Sequence, residues 1–72
     1  MMRPVLRERV LGALALGPMT SDELARSLGS TVRATHAVAC ALADDGVLVR
    51  WTRSSGRGRP WVVFALASRA AA

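Results

Sequence analysis

The chain has 72 residues, enough for one domain with a small core, and it carries a single cysteine, a single histidine and a formal net charge of +5. A lone thiol excludes an internal disulfide, and one His with one Cys cannot build a metal cage, so neither metal nor cofactor is expected. No apolar run approaches the ~20 residues that span a bilayer, and Arg7-Glu8-Arg9 breaks the apolar stretch a secretion signal would need; the expectation is a cytoplasmic, nucleoid-associated protein.

The charge is unevenly spread. Residues 1–46 hold five arginines and five acids and are neutral, whereas residues 47–72 hold Arg50, Arg53, Arg57, Arg59, Arg69 and no acid, and so carry the whole excess. An alanine-rich chain with ten arginines and no lysine bears the mark of GC-rich codons. That bias explains arginine over lysine but not the segregation of sign, which fits a surface for nucleic acid better than a merely solvated basic face.

In chain order, Pro4 suits the first turn of a helix, and Leu6, Val10, Leu11 and Leu14 recur at helical spacing opposite Arg7, Glu8 and Arg9. Helix 1 is placed at about 4–16 and is stopped by Gly17-Pro18. Thr20-Ser21-Asp22-Glu23 has the form of a capping box. Helix 2 follows at about 21–28, burying Leu24, Ala25 and Leu28. Gly29 can take positive φ, and Ser30-Thr31 offers a new N-cap, so two helices meet across a tight turn.

Helix 3 is placed at about 32–45. Thr35, Val38, Ala39 and Leu42 form the stripe assigned to the core, which puts Arg33, His36, Ala37 and Cys40 on the opposite face. That face is poor in large side chains and permits close approach to another surface. Gly46 ends the helix after Asp44-Asp45, acids badly placed for the macrodipole at a C-terminus.

The remaining chain reads as a hairpin at 47–67, with strands from Val47 to Thr52 and from Trp61 to Ala67, and a frayed tail at 68–72. Its tip, Arg53 to Arg59, mixes arginine with glycine and serine, is too long for a two-residue turn, and is where mobility is expected. Arginine offers a planar fork of donors for phosphate oxygens. Both faces of the hairpin are apolar: Val47, Val49 and Trp51 against Leu48 in the first strand, and Trp61, Val63 and Ala65 against Val62, Phe64 and Leu66 in the second. One face can cover the helices; the other needs a partner.

With helix, helix, helix and basic hairpin in this order, residues 5 to 67 resemble a winged helix-turn-helix DNA-binding domain of the bacterial transcription-regulator type. The resemblance rests on Leu24-Ala25 and Leu28-Gly29 at the turn, on Leu42 to Gly46-Val47-Leu48, and on Gly56-Arg57-Gly58-Arg59-Pro60 followed by Phe64 and Leu66. It implies an α+β, mostly α, single domain over residues 1–72. It further implies that helix 3 enters the major groove of double-stranded DNA while the hairpin, the wing, lies on phosphates or the minor groove. Matched by position, Thr31, Arg33, His36 and Ala37 are the recognition-helix contacts, and Arg53, Arg57 and Arg59 the wing contacts. This helix departs from the common pattern in having one cation, Arg33, where relatives often carry two or three.

Each residue also has a plainer reading. Arg33 can bind guanine bidentately or simply a phosphate; His36 can donate to DNA or remain solvated. Thr35 belongs with the core. Cys40 fits a small packed thiol better than a redox sensor. Trp51 and Trp61 can stack on bases, but tryptophans flanking a hairpin more often pack or form an interface, here between the copies of a homodimer.

The leading expectation is therefore a small transcriptional regulator or accessory protein that binds duplex DNA. A winged-helix protein-interaction module using the apolar hairpin face is the alternative. A binder of Z-form nucleic acid is a minor one: Pro60-Trp61 is similar to the wing of such domains, but they place a tyrosine on helix 3 and this chain has Cys40 there and no tyrosine. No acid–base pair at useful spacing and no phosphate-binding glycine loop opening a helix are present, so no enzymatic activity is expected.

Overall fold

The computed structural model describes residues 5–54, 58 and 60–70. Among these, helix α1 spans Leu6–Leu14, strand β1 Met19–Thr20, α2 Ser21–Leu28, α3 Val32–Asp44, β2 Leu48–Arg53, β3 Trp61–Leu66 and the single turn α4 Ala67–Ala70. The strands form one antiparallel sheet in the order β1-β3-β2.

Local chemistry sets the ends of each helix. α1 buries Val10, Ala13 and Leu14, one face of a 3.6-residue period, and then tightens: Leu16 N–H donates to Ala13 O and Gly17 N–H to Leu14 O, both at 3.1 Å. Helical geometry therefore stops at Leu14, short of the expected 16. The capping box of α2 is formed in both directions, with Glu23 N–H donating to Thr20 Oγ1 at 3.2 Å and Thr20 N–H donating to Glu23 Oε1 at 2.9 Å. Gly29, at φ 64°, then reverses the chain, and Ser30 N–H closes back on Ala25 O at 3.0 Å.

α3 ends the same way. Gly46 takes φ 81°, its N–H donates to Ala43 O at 3.1 Å, and Val47 N–H donates to Leu42 O at 3.0 Å, the paired closure of a Schellman motif. The backbone leaves this turn directly into β2. An Asp44–Arg50 ion pair of 3.3 Å spans the junction. It gives the acid at the unfavourable end of the macrodipole a compensating cation, although both side chains are exposed and the pair contributes only about 0–1 kcal/mol.

The core lies between the three longer helices and the inner face of the sheet. Phe64, Leu14, Leu24, Leu42, Val10 and Thr35 are its fully buried members. Arg9 ties α1 to the end of α2 through a hydrogen bond from its guanidinium to Leu28 O. Because β3 is the central strand, Val63, Phe64 and Ala65 are all buried, which accounts for its apolar residues on both faces.

Three expectations change. β1 is an added strand: Met19 pairs with Phe64 and Thr20 with Val63, a two-residue element too short to show alternation in sequence. Of the tail expected to fray at 68–72, residues 68–70 instead continue from β3 into α4, anchored where Ala67 N–H donates to Val47 O at 3.0 Å, while 71 and 72 lie outside the described residues. The second strand ends at Leu66 because α4 takes over at Ala67.

Candidate nucleic-acid interface

α3 presents its N-terminal half to solvent. Thr31 is the N-cap, its Oγ1 accepting from Ala34 N–H at 3.1 Å. Its hydroxyl oxygen therefore holds the helix start, while the hydroxyl proton remains free to donate outward. Arg33, Ala34 and Ala37 are exposed. Arg33 stands on a smooth, small-residue surface, a shape that lets a helix sit close against a partner.

His36 is placed differently from the expectation of a solvent-facing contact. It is half-buried: its Nδ1 shares a 2.6 Å hydrogen bond with Ser21 Oγ, and its Nε2 lies 3.4 Å from Cys40 Sγ. Its ring meets the Phe64 ring edge-on, with 5.8 Å between centroids. Both ring nitrogens are engaged within the fold, so the imidazole joins α2, α3 and β3. Cys40, also expected on the outer face, is half-buried and packs against the core. The stripe of Thr35, Ala39 and Leu42 is buried, with Val38 partly so. The helix is thus enclosed over a wider arc than a simple two-face pattern implies.

In the hairpin, Arg53 is exposed at the end of β2, directly opposite Trp61 on β3. Both line an open cleft of about 210 Å³ whose other wall is α2 and its N-cap, with Thr20, Asp22, Glu23 and Arg26. The Glu23 carboxyl is held below its ordinary value of 4.5, chiefly by its hydrogen bonds with Thr20; burial opposes this, and the positive charges of Arg53 and Arg26 add smaller lowering effects. Arg26 has no place in the sequence-based site. A cation in the last turn of a helix reads as a macrodipole partner, and only the packing of α2 against β1 and β3, with β2 paired beyond β3, brings it to the same cleft as Arg53. Arg50, one of the four arginines of the basic stretch, is engaged with Asp44. Arg57 and Arg59 lie outside the described residues, as does most of the tip expected to be mobile.

Trp51 and Trp61 remain 42% and 44% exposed. The register sets Trp51 opposite Val63 and Arg53 opposite Trp61, so these four share the outer face of the sheet, turned away from Phe64.

No protein-family model and no curated protein matches the chain. Solved structures do. PadR of Bacillus subtilis, solved in complex with operator DNA, superposes with a TM-score of 0.78 at 19% identity over 93% of this chain. A structure of a possible transcriptional regulator from Methanosarcina mazei Go1 gives 0.79 at 15% identity over 89%.

The chain has the winged helix-turn-helix fold. In its terms α2 and α3 are the helix-turn-helix and β2–β3 the wing. Stf76 from the Sulfolobus islandicus plasmid-virus pSSVx superposes with a TM-score of 0.77 at 23% identity over 89% of the chain and is of similar size, 83% of it being covered. The chain spans only 56% of the Methanosarcina protein and 44% of PadR. Among the described residues no helix is long and apolar enough to cross a membrane, and no group of three or more His, Cys, Asp or Glu side chains is placed to hold a metal.

Proposed function

We infer that this winged helix binds double-stranded DNA as a small transcriptional regulator or accessory protein, with α3 in the major groove and the wing along phosphates or the adjacent minor groove. The observation that carries this reading is the pairing of two surfaces: an exposed α3 face of Arg33, Ala34 and Ala37, and a wing half with five arginines and no acid. The likeness to PadR, solved with operator DNA, supports it.

Within this reading the roles divide. Arg33 is the base or phosphate contact of α3, and the Thr31 hydroxyl and the Ala37 methyl lie against the groove. Arg53, Arg57 and Arg59 carry the wing's phosphate contacts. His36 acts as a positioning residue, since both its nitrogens are occupied by Ser21 and Cys40. Operators with two-fold symmetry would engage two copies of the chain.

Titration of duplex DNA at several salt concentrations, on protein of known solution mass, tests the proposal. About four phosphate contacts per protomer give a slope of log K against log salt of roughly −3 to −4, nearly doubled if two copies bind. No association with duplex at low salt, or a salt-independent one, would overturn it.

A further inference from the structure

We propose that the outer face of the wing sheet is a second nucleic-acid surface, one that takes unpaired nucleotides by stacking their bases on Trp51 and Trp61. Duplex contact through α3 gives these two residues no task, and the proposal does not depend on it. Both indoles are more than 40% exposed. They stand on adjacent strands of one face, Trp51 paired with Val63 and Trp61 two residues before Val63 on the same strand. Val63 between them is 4% exposed, so the floor between the two rings is apolar and covered, and the exposed surface of this face is that of the indoles. Among the described residues the aromatic contact found is that of His36 with Phe64, on the far side of the sheet.

The surroundings select the occupant. A second protein chain would suit the apolar rings but would meet a strongly cationic neighbourhood, since residues 47–72 contain five arginines and no acid. Single-stranded nucleic acid satisfies both features: every base has a π-face to lay on an indole, and the chain that links the bases is anionic. Arg53, directly opposite Trp61, supplies a phosphate partner beside the stacking ring, and Arg26 faces it across the cleft. Asp22 and Glu23 balance those two arginines within the cleft itself. Glu23 is tied to the helix cap, so the Arg53 guanidinium keeps donors for phosphate, and the choice of unpaired over paired bases comes from the tryptophans. A duplex keeps its bases inside the stack and cannot offer them to this face.

The experiment uses the whole chain with a mixed-sequence 12-nucleotide strand supplied as DNA, as RNA and as the DNA duplex, read by anisotropy and by tryptophan emission. The expected result is quenching of emission by at least one single-stranded form, with its affinity falling about tenfold in Trp51→Ala and in Trp61→Ala. Trp61→Phe, which keeps an aromatic ring, retains most of the affinity, and duplex affinity changes by less than about twofold in all three. The DNA and RNA arms identify which strand is the natural source. Arg33→Ala is expected to do the reverse, weakening duplex and sparing single strand. Emission unmoved by either single strand overturns the proposal, as does equal loss of duplex and single-strand binding in the tryptophan variants. Overturning it as well would be a solution mass that halves in Trp51→Ala with no single-strand effect, which would make a second copy of the chain the occupant.

Discussion

The α3 face and the wing both carry arginine, but they are built on opposite principles. α3 is held by an N-cap at Thr31, a Schellman closure at Gly46, a buried stripe and the Ser21–His36–Cys40 bridge. Arg33 stands on this fixed helix among the small exposed side chains of Ala34, Ala37 and Ala41, a geometry suited to discrimination. The wing concentrates charge, and its described base adds Arg53 and the half-exposed Trp51 on the edge strand β2 and the half-exposed Trp61 at the start of β3. Affinity for phosphate does not require such exact placement. In the proposed reading, charge and selectivity fall to different elements, and these are joined at Phe64, which lies in the central strand and touches the His36 ring of α3.

The junction itself is the most sensitive point of the comparison. Phe64→Ala removes a fully buried ring that both regions share and is expected to cost about 3–5 kcal/mol, comparable to the whole stability of so small a domain. Denaturant titration monitored by far-ultraviolet circular dichroism checks it. A loss under about 1 kcal/mol would mean that wing and helices are packed independently.

Next in size is the division of labour. Arg33→Ala is expected to cost about 1–3 kcal/mol on a selected duplex if it reads a base, with little change on random DNA. Arg53→Ala should instead weaken all duplexes alike and reduce the salt slope by about 0.9. Parallel titrations of both variants on both duplexes measure this; identical profiles would erase the proposed distinction.

Smaller effects concern the scaffold beneath the cleft. Thr20→Ala removes one half of the capping box and is expected to cost about 1 kcal/mol in thermal or chemical unfolding. Because the folded Glu23 carboxyl sits below its ordinary value of 4.5, its contribution is complete above that pH and is lost as pH falls through the lower, folded value. Glu23→Gln, which can still serve a capping box, should flatten that part of the acid limb in unfolding curves measured from pH 6 downward. The smallest expected change is a gain. Thr35 is fully buried, and its hydroxyl has no hydrogen-bond partner among the described residues, so Thr35→Val should raise stability by about 0.5–1 kcal/mol.

Much of the scaffold is legible before any coordinates are known. Thr20 and Glu23 stand three apart before an apolar run, and glycines follow Leu28 and Asp45; these are local signals whose physics lies within a few residues. α2 accordingly occupies Ser21–Leu28 and α3 Val32–Asp44, within one residue of the expected ends. β1 is not legible, because two residues have no periodicity and Met19-Thr20 becomes a strand only when β3 arrives beside it. The candidate site is legible in part. Arg33 and Ala37 are exposed as the helical period suggests, whereas His36 is drawn inward by partners 15 residues away in Ser21 and 28 away in Phe64, and Cys40 packs against the core beside it. No window of sequence contains those contacts.

By itself, the sequence determined the ends of α2 and α3 to within a residue, the order of the three longer helices and the hairpin, and the segregation of charge into the last 26 residues, because capping, periodicity and net charge are properties of neighbouring residues. Only the tertiary structure decided that β3 is the central strand and that Arg50 is drawn to Asp44. It also decided that Arg26 and Arg53 share a cleft, and that Trp51 and Trp61 lie exposed on one face. Those outcomes depend on which distant segments meet, and such meetings are set by the closure of the whole core around Leu14, Leu24, Leu42 and Phe64 rather than by any local preference.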